Sequence, residues 1–183
     1  MIDNLESERL ILEPISIQHV TNVYLSWLND EDIIKHLVTK KGHTLKSLSN
    51  YIQSHLEKKT VMYAIIIKEN KTHIGNIKID PINKSDMSGE LGILIGDKSS
   101  WGKGYGKEVI HCLTKYGFET LRLARIEAWC YEKNTGSLRA FLSIGYSIEG
   151  FMKKKYISDG VRCGAFELAM LREEFNSQNS AGE

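Results

Sequence analysis

The sequence predicts an α/β fold, a mixed and mostly antiparallel sheet with helices on both faces. Three observations carry this expectation. Arg9 to Glu13, Val61 to Lys68 and His73 to Asp80 are β-rich runs, the last two separated by the hairpin-like Glu69-Asn70-Lys71-Thr72. From Glu90 the order becomes strand, glycine loop, helix, strand, which requires a parallel crossover. Apolar residues recur at helical spacing both before the hairpin and after the glycine loop.

The 183 residues suit one domain, placed at 1–175 with 176–183 as a flexible tail. A chain of this length buries roughly 70% of the surface its unfolded form exposes. Lys+Arg of 24 against Asp+Glu of 23 leaves a net charge of +1, so nothing in the total favours nucleic acid. Cys112, Cys130 and Cys163 are odd in number and lack metal-ligand spacing, which argues against a disulfide framework and a structural zinc. No ligand spacing links the six histidines either, so no metal is expected. Asp3, Glu6 and Glu8 stand where a secretory signal carries basic residues, and no apolar run approaches the roughly 18 residues of a membrane span. A cytoplasmic protein with no membrane partner is expected.

In chain order, Leu10 and Leu12 alternate with polar neighbours up to Pro14, the pattern of a half-buried strand. Ser16 can cap a helix through Ile17, Val20, Tyr24, Trp27 and Leu28. Asp30 can cap a turn or two through Ile33, Ile34 and Leu37, and Thr44 a third helix through Leu45, Leu48, Ile52 and Leu56. After the hairpin, Pro81 to Ser88 reads as a polar loop before a buried strand, Leu91 to Ile95. Val109, Ile110, Leu113, Tyr116, Gly117 and Leu121 mark a helix. Ile126, Ala128 and Cys130 alternate in a strand, Asn134 or Thr135 caps a helix ended by Gly145, and Ser158-Asp159-Gly160 turns a final hairpin.

The stretch between strand and helix carries the chemistry. Gly102, Gly104 and Gly106 precede a helix whose first N–H groups lack internal partners, the makings of an anion cradle, and Lys103 and Lys107 add positive charge. A Walker loop is excluded because Lys107 is followed by Glu108 and the required first glycine is Trp101. A dinucleotide fingerprint is excluded because its third glycine falls on Lys107. What remains resembles the acyl-CoA signature of the GNAT acetyltransferase superfamily, Gln/Arg-x-x-Gly-x-Gly/Ala, over Trp101, Gly102, Lys103, Gly104, Tyr105 and Gly106. Trp101 departs from the usual first residue. That departure resembles the ribosomal-protein N-terminal acetyltransferase (Rim) branch, as do Arg9-Leu10-Ile11-Leu12, Trp27-Leu28-Asn29-Asp30, Asn134 with Ser137, and Gly145-Tyr146.

The resemblance implies a single-domain GNAT fold of about six or seven strands, splayed between the two central parallel strands, with acetyl-CoA as cosubstrate. It implies that backbone of Leu94, Ile95 and Gly96 holds the acyl arm, with an N–H near Ile95 as oxyanion donor and the diphosphate on Gly102 to Lys107. The early helices would form one wall of the acceptor site, where His36, Lys40, Lys41 and His43 could reach substrate or simply face solvent. An acceptor amine has a free pKa near ~10.4 and must lose a proton. Glu90 is the candidate general base, with a solvated strand-end glutamate as the alternative. The Rim branch implies that Asn134 holds CoA and that Ser137 protonates the leaving sulfur, with helix capping as the alternative for both. Other members use a tyrosine acid where this chain has Phe141; Tyr146 and Tyr105 are reserves.

Relatives that act on protein termini often carry an aspartate near Gly164, absent here. The spellings around Ile74-Gly75-Asn76, Pro81-Ile82-Asn83 and Ile95-Gly96-Asp97 resemble Rim-type enzymes that acetylate small amines such as amino sugars. The expected function is acetyl transfer to a primary amine of a small molecule through a tetrahedral intermediate. Acetylation of a protein N-terminus and a non-catalytic CoA-binding module are the competing readings. Dimers are common among such relatives, so a homodimer is compatible.

Overall fold

The computed structural model describes residues 3–39, 42–158 and 160–180. Two short strands, β1 (Leu5–Glu6) and β2 (Leu10–Pro14), lead into a 3-10 turn, Ile17–His19, and three helices, α1 (Asn22–Asn29), α2 (Glu31–Ile34) and α3 (Leu45–Lys58). Then come β3 (Val61–Ile67), β4 (His73–Asn83) and β5 (Ser88–Ile95), a 3-10 turn at Lys98–Ser100, and α4 (Tyr105–Glu119). The chain continues through β6 (Arg125–Tyr131), α5 (Thr135–Leu142), β7 (Ser147–Ser158), β8 (Val161–Leu171) and α6 (Arg172–Ser180). Helix α6 thus extends into the stretch expected as a tail.

Among the described residues, all eight strands join one sheet in the order β1-β2-β3-β4-β5-β6-β8-β7, with β5 and β6 its one parallel pair. The strand beyond the expected six or seven is β1, two residues long and too short for a periodicity signal. Strand alternation gives the sheet two apolar faces. On one, Leu10, Tyr63, Ile77 and Leu91 pack with Val109, Ile110 and Leu113 of α4; on the other, Met62, Ala64 and Ile66 pack with Tyr24, Trp27, Leu48 and Ile52 of α1 and α3. Each fully buried aliphatic side chain contributes about 1.5–3 kcal/mol of transfer free energy.

Two local expectations are corrected. Ser16 caps only the 3-10 turn: His19 Nδ1 accepts from the Ser16 N–H at 3.0 Å, completing a capping box, and Val20 then leaves helical geometry; α1 restarts on Thr21, whose hydroxyl accepts from the Tyr24 N–H. Pro81 lies within β4 rather than in a loop. A register shift between Ile79 and Ile82 accommodates it, since a residue without an N–H is tolerated where the ladder is interrupted. The expected turn at residues 158–160 includes Asp159, which lies outside the described residues.

Trp27 of α1 sits directly over the end of β5. A Cβ built on Gly96 would meet its indole at 2.1 Å, so only glycine permits this approach. Lys98 Nζ adds contacts to Asp30 at 2.8 Å and Asp32 at 2.9 Å, joining α2 to the turn ahead of the glycine loop. The early helices are thereby held beside the strand end and the loop.

Candidate active site

Strands β5 and β6 pair through only Ser88, Gly89 and Glu90, opposite Arg125, Ile126 and Glu127. Beyond Glu90, β5 stays with β4 as far as Ile95 while β6 stays with β8, so a wedge opens between them. The Gly96 N–H donates to Ile74 O at 2.9 Å, which sets the alternation along β5. Leu94 and Gly96 therefore turn their backbone groups toward β4, and Ile93 and Ile95 turn theirs into the wedge. Three consecutive strand residues cannot present N–H groups to one side, so of the expected trio only Ile95 does, and Ile93 joins it. Leu94 contributes its side chain to the wedge wall.

The Ile95 carbonyl is already engaged: Trp101 Nε1–H donates to it at 2.8 Å. The tryptophan thus ties the glycine loop back to the strand. Gly102 and Gly104 have φ of +74° and +82°, which an L side chain adopts only at a cost of about 1–2 kcal/mol. A Cβ on Gly102 or Gly106 would meet nothing within 4 Å, so the backbone stands open there. Among the described residues, no acceptor is found for the N–H groups from Gly102 to Lys107. Six amides without an internal acceptor, beside open space at the positive end of a 15-residue helix, are a donor set of the kind a diphosphate needs.

Arg9 braces this loop from β2. Its guanidinium donates to Lys103 O at 3.0 Å, lies 4.6 Å from the Tyr105 ring centroid, and pairs with Glu108 at 2.7 Å. Glu108, in the first turn of α4, also accepts from Ser7 Oγ and the Arg9 N–H, each at 2.7 Å. Burial raises the Glu108 carboxyl, but these hydrogen bonds and the guanidinium outweigh it and hold its pKa below the usual value. In the sequence Arg9 stands out only as part of an opening motif; its partner lies 99 residues away, and no local signal joins the two.

Two cavities meet at the wedge. The first, about 620 Å³, runs over the glycine loop from Trp101 to Lys107 and along α5, where Lys133, Asn134 and Ser137 contribute. The second, about 440 Å³, lies under α1 and α3 and includes Glu90, Asn76, Lys78, Tyr24, Tyr51 and Trp129. Both are lined by Ile93, Leu94, His36, Leu37, Asn134 and Ser137. Of the expected site residues, Leu94, Ile95, Trp101, Gly102, Gly104, Tyr105, Gly106, Lys107, Asn134 and Ser137 line the first cavity, and Glu90 lines the second. Lys103 is exposed and contributes its carbonyl to Arg9; Gly96 packs beneath Trp27 instead. His36 and His43 line the second cavity, and Lys40 and Lys41 lie outside the described residues.

Asn134 caps α5, its Oδ1 accepting from the Ser137 N–H at 3.2 Å, so its Nδ2 is what remains for a ligand. Tyr146 is 2% exposed, bonds Thr114 Oγ1 at 2.8 Å, and lines neither cavity. Burial pushes its phenol far above the ordinary value, and its hydroxyl is held by Thr114 away from both cavities. Trp129 is a site residue that the sequence did not single out. Its indole stacks on Tyr156, 4.8 Å between centroids, and its Nε1–H reaches Glu90. Among the described residues, no group of three or more His, Cys, Asp or Glu could hold a metal, and no helix is long and apolar enough to cross a membrane.

Comparison with known proteins gives this geometry its context. Residues 9–147 match the model of the acetyltransferase (GNAT) domain. The chain is 26% identical to the uncharacterized N-acetyltransferase p20 of Bacillus licheniformis, covering 95% of this chain and 99% of that protein. It superimposes on a GNAT-family acetyltransferase from Bacillus anthracis with a TM-score of 0.82 and 23% identity, over 94% of this chain and 100% of the other. Spermidine N-acetyltransferase from Vibrio cholerae, in complex with CoA and spermine, gives a TM-score of 0.84 at 18% identity, over 92% and 98%. At these identities the two structures establish a shared fold.

Proposed function

The chain belongs to the GNAT acetyltransferase family and is an acetyl-CoA-dependent N-acetyltransferase, and we propose that its acceptor is a primary amine on a small molecule. The observation that carries this reading is the meeting of the two cavities at Ser137 and Asn134, with Glu90 in the second. A volume of about 440 Å³ suits a small ligand, and the lining mixes aromatic rings with a few polar groups.

When bound, the coenzyme supplies an activated acetyl carbonyl to be attacked by the amine. The orphan amides of Gly102 to Lys107 hold its diphosphate, and the wedge-facing N–H of Ile95 stabilises negative charge on the carbonyl oxygen. Glu90 takes the proton from the ammonium, directly or through water. Ser137 Oγ–H would pass a proton to the departing sulfur and take in exchange the one that the attacking nitrogen sheds as the amide forms, and Asn134 Nδ2 would orient the coenzyme beside it. The sequence spelling around Trp101 and Asn134 to Ser137 favours the Rim-type branch within the family.

The test is release of free thiol from acetyl-CoA in the presence of amino sugars, polyamines, aminoglycosides and short peptides. Turnover of a small amine supports the reading; turnover confined to peptides sinks it in favour of a protein N-terminus, which mass spectrometry of cellular N-termini would then identify. Tight CoA binding with no turnover at all would leave a coenzyme-binding module.

A further inference from the structure

Asn76 sits on β4 and lines the second cavity, on the same sheet face as Lys78, Gly92 and Leu94. It is 4% exposed, and its Nδ2 has no hydrogen-bond partner among the described residues. The direction of the amide is set by its neighbour. His73 Nε2 lies 2.9 Å from Gly75 O, and because a carbonyl only accepts, that nitrogen must carry the proton. The same N–H faces Asn76 Oδ1 at 3.3 Å, so the amide oxygen belongs on the His73 side. The imidazole packs edge-on against Trp27 and Tyr24, with centroids 5.0 and 5.9 Å away, contacts that favour this orientation. A buried donor in this state is costly unless it meets an acceptor, and at a cavity wall that acceptor is a ligand atom or a water the ligand can replace.

We propose that Asn76 Nδ2 recognises an oxygen of the acceptor substrate, so that the preferred amine carries a hydroxyl or carbonyl in addition to its nitrogen. The inference rests on the small-amine reading above and narrows it. Glu90 is the carboxylate among the described residues lining this cavity, and Lys78 Nζ is held by Asp80 at 3.3 Å. One carboxylate and a neighbouring cation suit a monoamine with a neutral oxygen. They do not suit a polyamine, whose several ammonium groups offer no acceptor to Asn76.

The test compares kcat/KM for matched amines: glucosamine against cyclohexylamine, and glycinamide against propylamine, with spermidine as the polyamine. The oxygen-bearing member of at least one pair is expected to be preferred by roughly tenfold or more. Asn76→Leu is expected to abolish that preference by lowering kcat/KM for the oxygen-bearing amine roughly 10- to 100-fold, with less than about a twofold change for its partner. Asn76→Asp keeps the shape but puts an acceptor where the donor stood, so it should lower kcat/KM for glycinamide, whose carbonyl only accepts, relative to propylamine in the same way, which covers a folding failure of the leucine variant. Coenzyme affinity by calorimetry should stay unchanged in both. Equal losses on both members of a pair, or a wild-type preference for spermidine or the oxygen-free amines, overturns the inference and leaves the small-amine reading standing. Absence of turnover with every amine removes both.

Discussion

Trp129 Nε1–H donates to Glu90 Oε1 at 3.2 Å across the fork where β5 and β6 part. The bond joins the last paired residue of one strand to a side chain on the next, and the Tyr156 stack holds the indole still. Glu90 is therefore positioned by both strands of the wedge.

If Glu90 takes the amine proton, Glu90→Gln should lower kcat by about a hundredfold or more while coenzyme affinity stays within about twofold. Trp129→Phe keeps a ring for the stack but loses the N–H, and should lower kcat by a smaller factor, roughly three- to tenfold. Steady-state rates and calorimetry measure both. Unchanged rates for Glu90→Gln would make the carboxylate a bystander.

The three loop glycines should respond differently to alanine. Gly102→Ala and Gly104→Ala force a side chain into positive φ and should destabilise the fold by about 1–2 kcal/mol while weakening coenzyme binding. Gly106 has no positive φ and open space around it, so Gly106→Ala should leave Tm nearly unchanged yet weaken binding by crowding the ligand. Thermal melts with and without CoA separate strain from crowding; a single common effect on all three would contradict the geometry.

Asn134 and Ser137 should also separate. Asn134→Ala removes the α5 cap and should cost about 1 kcal/mol of stability as well as coenzyme affinity. Ser137→Ala leaves the capped N–H intact and should lower kcat, with little change in Tm. Denaturant unfolding together with kinetics decides; a stability loss from Ser137→Ala equal to that of Asn134→Ala would argue against the division of roles.

Glu108 supplies a pH signature. Its folded pKa lies below the unfolded value, so the unfolded chain binds the proton more readily. The stabilisation is complete above the unfolded pKa of about 4.3 and is lost as pH falls through the folded value. Wild-type stability should therefore drop more steeply than that of Glu108→Gln over this acidic window in urea titrations. Glu108→Gln should also loosen Arg9 and reduce CoA affinity at neutral pH. Parallel acid profiles would show that the carboxylate contributes nothing through its charge.

The strands, the main helices and the glycine loop are legible because their signals are local. Alternation at Leu10 and Leu12, the caps at Asp30, Thr44 and Asn134, and the spacing of Gly102, Gly104 and Gly106 are each contained within a few residues. Pro81 was misplaced because a proline normally argues against a strand, and the register shift that admits it depends on the partner strand. Ser16 caps a shorter element than its spacing suggests: the box it forms with His19 closes a 3-10 turn, Val20 leaves helical geometry, and Thr21 supplies the cap of α1.

By itself the sequence determined the order of elements and the glycine loop ahead of α4, since backbone conformation and helix ends answer to neighbouring residues. The tertiary structure alone decided which β5 amides face the wedge, that Arg9 braces Lys103, that Trp129 holds Glu90, and that Asn76 is left with an unmet donor. Those facts depend on register between strands and on contacts dozens of residues apart, and packing of the whole chain is what sets them.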